Sequence, residues 1–209
     1  MLNRRKFIFT GSALAISETM IGCSGLNSAG STITTASVNI LQLAQAITTQ
    51  QCPEWCWAAS ISMIFAFYGH PVSQSEIVTG TYGGLFCTSA NTTTIERDLT
   101  GSFIDDYGRH FTSQITAAYD YYNGVNDLTN AEIISELSNN HPMLYCNTHH
   151  AEVIYSASYL GSQDQPNIQE VDVIDPWPPN QRSHPLSISE MVPASLGGEM
   201  TFAASVRIY

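Results

Sequence analysis

The chain has 209 residues, of which 44% are hydrophobic and 12% charged, with a formal net charge of −11. That length suits one domain with a sizeable core, and the composition is that of a folded chain rather than a disordered one. The acidic balance repels nucleic acid and anionic lipid surfaces, so a nucleic-acid partner is excluded and solubility is the simplest reading of the charge.

The N-terminal "NRRKFIFTGSALAIS" has a basic run (Arg4, Arg5, Lys6) followed by a short apolar stretch, the pattern of an export signal over residues 1–22. The paired arginines before Phe7 resemble a bacterial twin-arginine signal. "MIGCSG" resembles a lipobox, with Met20 where leucine is usual, and implies that Cys23 becomes the lipidated first residue of the mature chain. The alternative is a plain cleaved signal with an incidental cysteine. Several acyl chains on one cysteine would anchor the protein to a membrane. The expected location is therefore outside the cytoplasm, in the periplasm or at the outer membrane or cell surface. Without residues 1–22 the chain keeps four arginines, no lysine and seventeen carboxylates, or 4 − 17 = −13. Residues 23–40, rich in Ser, Thr, Gly and Asn, read as a flexible tether, and 41–209 as the domain.

Within the domain, residues 54–68 are helical in pattern and apolar nearly all round, which predicts a buried helix stopped by Gly69. "HPVSQSEIV" predicts a second helix, with Ser73 as N-cap and Glu76 completing a capping box. Further helices are expected at "NTTTIERDL", "SQITAAYDYY" and "LTNAEIISEL", the last with Thr129 and Glu132 as another capping box. After Pro142 the chain turns β-branched and aromatic. "PMLYCN", "HAEVIYSASYL", "IQEVDVID" and "MTFAASVRIY" predict strands of an antiparallel sheet. Helices first and strands second imply an α+β domain in which a helical half with the buried helix packs against the sheet half, with a cleft between them. No run after the signal is long and apolar enough to span a bilayer.

Cys56 stands between Trp55 and Trp57, with Pro53 and Glu54 marking the start of the buried helix. A helix N-terminus offers free N–H groups and partial positive charge, which favour thiolate, the nucleophilic form. The small Ala58 and Ala59 let other chain approach, and the tryptophans can shield the thiol. A buried structural cysteine fits the residues equally well.

"QQCPEWCWAAS" resembles the active-site segment of papain-like cysteine proteases, in particular a bacterial branch that carries "WCWAAS". The resemblance implies a papain-like fold and a thiol protease that acts on protein or peptide substrates without a cofactor. Cys56 would be the nucleophile. Gln50, six residues earlier, would donate to the oxyanion together with the Cys56 N–H, with Gln51 as the competitor. His150, followed by Ala151 in "NTHHAEV", would be the base, with His149 as the competitor. Asp175 in "VDVIDPWPP" would orient it, with Trp177 covering the bond. Each has a plain alternative: a core histidine, a turn-forming aspartate. All four together fall in the family's order, with Cys56 and His150 separated by 94 positions, which implies a compact relative. The resemblance also implies a Cys52–Cys87 disulfide pinning the oxyanion loop, worth on the order of 3 kcal/mol. Cys146 reads as a free buried thiol. No CxxC or HxxxH spacing supports a zinc site, so no metal is expected. His70, His110, His141 and His184 read as loop or surface residues. A silent papain-like binding module, an acyltransferase and a secreted effector all remain compatible with the same residues.

Overall fold

The computed structural model describes residues 32–178 and 182–209. The expected export signal, Cys23 and the first part of the tether lie outside those residues. Strand β1 (Thr34–Ser37) and helix α1 (Ile40–Ala46) come first, then α2 (Cys56–Phe67), α3 (Gln74–Tyr82) and α4 (Thr92–Asp98). Strands β2 (Gly101–Ile104), β3 (His110–Asp120) and β4 (Val125–Asn126) precede α5 (Asn130–Ser138). Strands β5 (Met143–Cys146), β6 (Ala151–Ser162), β7 (Gln165–Asp175) and β8 (Arg182–Pro185) follow, then the short α6 (Ile188–Met191) and β9 (Phe202–Ile208).

The strands form one antiparallel sheet in the order β2-β3-β9-β5-β6-β7-β8, with β1 added to β6 and β4 to β3. Helix α2 lies against β5 and β6 and carries buried side chains on all sides, from Trp57 to Phe67. A helix apolar all round has to be covered all round, and α1 and α3 pack against it as well. No helix among the described residues is long and apolar enough to cross a membrane. The α+β expectation, helices around α2 against an antiparallel sheet, is what the chain adopts.

Several local expectations change. The tether expected over 23–40 gives way at Thr34: residues 34–37 pair with 156–159 of β6, and Asn39 caps α1 by accepting from the N–H groups of Leu41 and Gln42. Polar side chains do not prevent an edge strand, because the backbone supplies its hydrogen bonds. "SQITAAYDYY" is not a helix. Its residues 113–120 are the end of β3, a strand whose alternate burial begins at Phe111 and Ser113 and which pairs with β9, and Tyr121 and Tyr122 turn away from it. Strands therefore appear before α5, and the order is not helices first. Helix α2 begins at Cys56 rather than Glu54, with Trp55 as N-cap. Gly69 does end it, with a positive φ of 86° that a side chain would resist. At α5 the capping box of Thr129 and Glu132 is complete, whereas at α3 the bond found is the one half of the box in which the Ser73 side chain accepts from the Glu76 N–H.

Cys52 and Cys87 are bonded, as the resemblance implies. Trp55 and Trp57 frame this link. Trp55 Nε1 donates to the Phe86 carbonyl at 2.8 Å and Trp57 Nε1 to the Thr88 carbonyl at 3.1 Å. Two indoles and a disulfide thus hold the 86–88 loop against the start of α2. With its cysteines 35 positions apart, the bridge should contribute roughly 3–4 kcal/mol by restricting the unfolded chain. The Cys52→Ser/Cys87→Ser variant should lose about that much in denaturant unfolding; an unchanged midpoint would assign the loop's order to the indoles alone.

Candidate active site

Cys56 is the first residue of α2 and is partly buried, and the N-cap Trp55 offers no side-chain hydrogen bond to the first turn. The N–H groups there are therefore not occupied by a cap, and they point toward the thiol's surroundings. His150 sits immediately before β6. Asn147 Oδ1 accepts from the N–H groups of both His149 and His150 at 2.8 Å, and Asn147 N donates to the His150 carbonyl at 3.0 Å. This side-chain turn sets the angle at which His150 enters the strand. Ser60 Oγ, one turn along α2 from Cys56, donates to the Ala151 carbonyl at 3.1 Å, so the nucleophile's helix is tied to the residue next to the imidazole.

Asp175 ends β7, the strand beside β6. Its Oδ1 lies 2.5 Å from His150 Nε2 and also accepts from the Trp177 N–H at 2.8 Å. Trp177 stands edge-on to the imidazole with centroids 6.1 Å apart. With Nε2 taken by Asp175, Nδ1 is the ring nitrogen left free for Cys56, which lines the same cavity as His150. Burial alone would lower the His150 pKa, but hydrogen bonds to Cys56 and Asp175 and the attraction of both outweigh it, and the ring stays protonated up to about 9. His149 is exposed and borders the same cavity, but of the two candidate bases only His150 is bonded to the aspartate.

Gln50 is buried, and its Nε2 donates to the carbonyls of Cys52 at 3.1 Å and Pro53 at 2.7 Å. Both hydrogens of the amide are thereby in use, so direct donation to an oxyanion requires it to release one of them. Its backbone N–H donates to the Pro176 carbonyl at 2.8 Å, joining the loop before Cys56 to the residue after Asp175. Gln51 is exposed, and its N–H donates to Gln74 Oε1 at 2.9 Å. Gln74, 1% exposed, also donates to the Thr49 carbonyl at 2.8 Å. Sequence reasoning passed over Gln74 and Asn147. The Asn-Thr-His-His turn was a readable signal for Asn147; nothing local marked Gln74, whose partners lie more than twenty residues away.

A model of the Peptidase_C39 like family matches residues 38–189, most of the chain. The chain belongs to the Peptidase_C39 like family. No curated protein matches. Among solved structures, UfSP from C. elegans is similar at 14% identity with a TM-score of 0.44; the match covers 84% of this chain and 34% of that one, so the chain spans about a third of that protein's length.

In this Peptidase_C39 like chain Cys56 opens onto a cavity of about 440 Å³, bordered by Trp57, Ser89, Asn91, Thr93, Tyr122 and Asn147. Cys146 also borders it. Burial, with Cys56 nearby, pushes the Cys146 thiol well up, so it remains a neutral thiol and a poor nucleophile. His150, Glu152 and Asp175 bring one ligand atom each within 4.8 Å of one another. The direct 2.5 Å bond between His150 and Asp175 leaves no room for an ion between those two atoms, which favours proton sharing over metal ligation. His184, read from sequence as a surface residue, instead pairs with buried Glu152.

The His150 pKa is raised in the folded chain from an ordinary 6.5 to about 9. Its stabilising contribution is therefore complete below pH about 6.5 and lost as pH rises through about 9. Unfolding free energy followed across that window should fall more steeply for the wild type than for Cys56→Ala, which lacks one of the two groups that hold the proton. Parallel curves would count against a proton shared with the thiol.

Proposed function

We propose that the chain is an exported cysteine peptidase that hydrolyses peptide or related amide bonds through Cys56, His150 and Asp175. The observation that carries this reading is that Cys56 from the head of α2 and His150 from the start of β6 line one cavity, while Asp175 from the end of β7 bonds the His150 ring. Cys56 Sγ attacks the substrate carbonyl carbon. The oxyanion that forms is stabilised by the uncapped first-turn N–H groups of α2, including that of Cys56. His150 Nδ1 gives its proton to the leaving amine as the tetrahedral adduct collapses to a thioester. Neutral His150 then takes a proton from water, which attacks the thioester and releases the acid. Asp175 keeps Nε2 protonated and the ring aligned throughout. An amine in place of water would make the same intermediate an acyl transfer. The cavity border holds hydroxyl, amide and aromatic side chains rather than carboxylates or guanidinium groups among its described residues, apart from the two histidines, which suits an uncharged substrate side chain.

Against a peptide or isopeptide substrate, Cys56→Ala should abolish turnover and also alkylation by iodoacetamide at neutral pH, and His150→Ala should cost roughly 10²–10⁴-fold. Gln50→Ala should fall short of the roughly 10²–10³-fold loss typical of an oxyanion donor and should lower stability, because it frees two carbonyls. If Cys56 alkylates only as an ordinary exposed thiol and no variant changes turnover, the peptidase reading fails.

Export is supported by Arg4, Arg5 and Lys6 ahead of the apolar stretch, and by a disulfide, which persists in oxidising compartments. Cys23 is the proposed lipid site, tethering the domain to a membrane. Full-length protein expressed with radiolabelled palmitate in a bacterial host should carry label that Cys23→Ala removes; label retained by that variant would exclude Cys23.

A further inference from the structure

A second polar pair lies behind Asp175 and has no part in the steps above. Glu152 is on β6, 2% exposed, two residues beyond His150. Alternation along the strand puts His150 and Glu152 on one face. The register Val153↔Ile174, continued by one residue, sets Glu152 beside Asp175. A nitrogen of His150 and carboxylate oxygens of Glu152 and Asp175 accordingly fall within 4.8 Å of one another.

His184 of β8 completes the arrangement. Its Nε2 is 2.9 Å from Glu152 Oε1, and its Nδ1 is 3.0 Å from the Pro185 carbonyl oxygen. A carbonyl only accepts, so Nδ1 carries a hydrogen. Nε2 then either donates to a Glu152 carboxylate as imidazolium or accepts from a protonated Glu152. Both states are neutral as a pair, so neither leaves a lone buried charge. They differ in which end of a 2.9 Å bond holds the proton. Burial raises the Glu152 carboxyl, with His150 and His184 opposing it and Asp175 adding to it. Burial lowers His184, and the Pro185 carbonyl and Glu152 more than reverse that. The groups around Glu152 are His184 from β8, Asp175 from β7, His150 from its own strand, and Tyr145 and Cys146 from β5, both of which feel its charge.

We propose that Glu152 and His184 are a positioning pair for the active-site histidine: His184 holds the shared proton, and the Glu152 carboxylate stands as a second negative charge beside the His150 imidazolium. This rests on the reading of His150 as the base. Glu152 touches no reacting atom and acts through His150 and Asp175. Near a carboxylate within 4.8 Å, the cation is favoured and the ring keeps its proton to higher pH.

The test is a pH titration of the histidine ring Cε1–H signals in the full-length protein, which needs no substrate. Glu152→Gln keeps the shape and an acceptor for His184 but removes the charge. It should lower the His150 midpoint by about half a pH unit or more. His184→Asn should act in the same direction, because an unpartnered buried Glu152 beside Asp175 takes up a proton itself. That site is on an edge strand with a side chain 35% exposed, so it decides the matter should Glu152→Gln not fold. Cys56→Ala and Asp175→Asn serve as references and should both lower the midpoint. A midpoint unmoved by Glu152→Gln and His184→Asn while Asp175→Asn lowers it would overturn the positioning pair and leave the triad standing. A midpoint unmoved by Cys56→Ala and Asp175→Asn would instead remove the triad on which the pair depends.

Discussion

The 2.5 Å contact between His150 Nε2 and Asp175 Oδ1 is the constraint on which the site depends. It settles which ring nitrogen faces the thiol, and it can exist only if β6 and β7 run side by side with their ends in register. A helix then has to deliver Cys56 to the other ring nitrogen. That placement comes from the packing of α2 on β5 and β6 and from the Ser60 bond to the Ala151 carbonyl. Chemistry at one sulfur thus draws on three elements, each anchored in the same core.

Around this contact the chain spends many polar bonds on holding loops. Asn147 shapes the approach to His150, Gln74 and Gln50 hold the segment from Thr49 to Pro53, and the two indoles with the Cys52–Cys87 bridge hold the next loop. Loop backbone has no ladder to satisfy it, so buried side-chain amides supply partners that helices and strands find internally. The pair of tryptophans around Cys56 is explained by this need. Their rings fill the core and their N–H groups tie down the loop opposite the nucleophile.

Periodicity made the long, strongly patterned elements legible: the all-apolar α2, the capped α5 and the β-branched strands after Pro142 follow directly from residue spacing. It failed at "SQITAAYDYY", whose alanines and tyrosines suit a helix about as well as a strand; pairing with β9, more than eighty residues away, decided it. It failed also at Thr34–Ser37, where a polar stretch became an edge strand because β6 offered it a partner. Glu152 was within reach of the same reasoning. The spacing His150-x-Glu152 on a strand places both on one face, but burial and the distant His184 give that spacing its meaning.

The sequence by itself determined the setting of Cys56, since a cysteine at the head of an apolar helix between two tryptophans is a local arrangement of neighbouring residues. It determined most of the secondary structure for the same reason, because propensity, capping and alternation act over a few positions. Only the tertiary structure decided which histidine of the adjacent pair bonds Asp175, that the amide of Gln50 is occupied, and that His184 reaches a buried acid. Those outcomes depend on contacts between residues tens of positions apart, and such distances close only when the sheet pairs and the core packs.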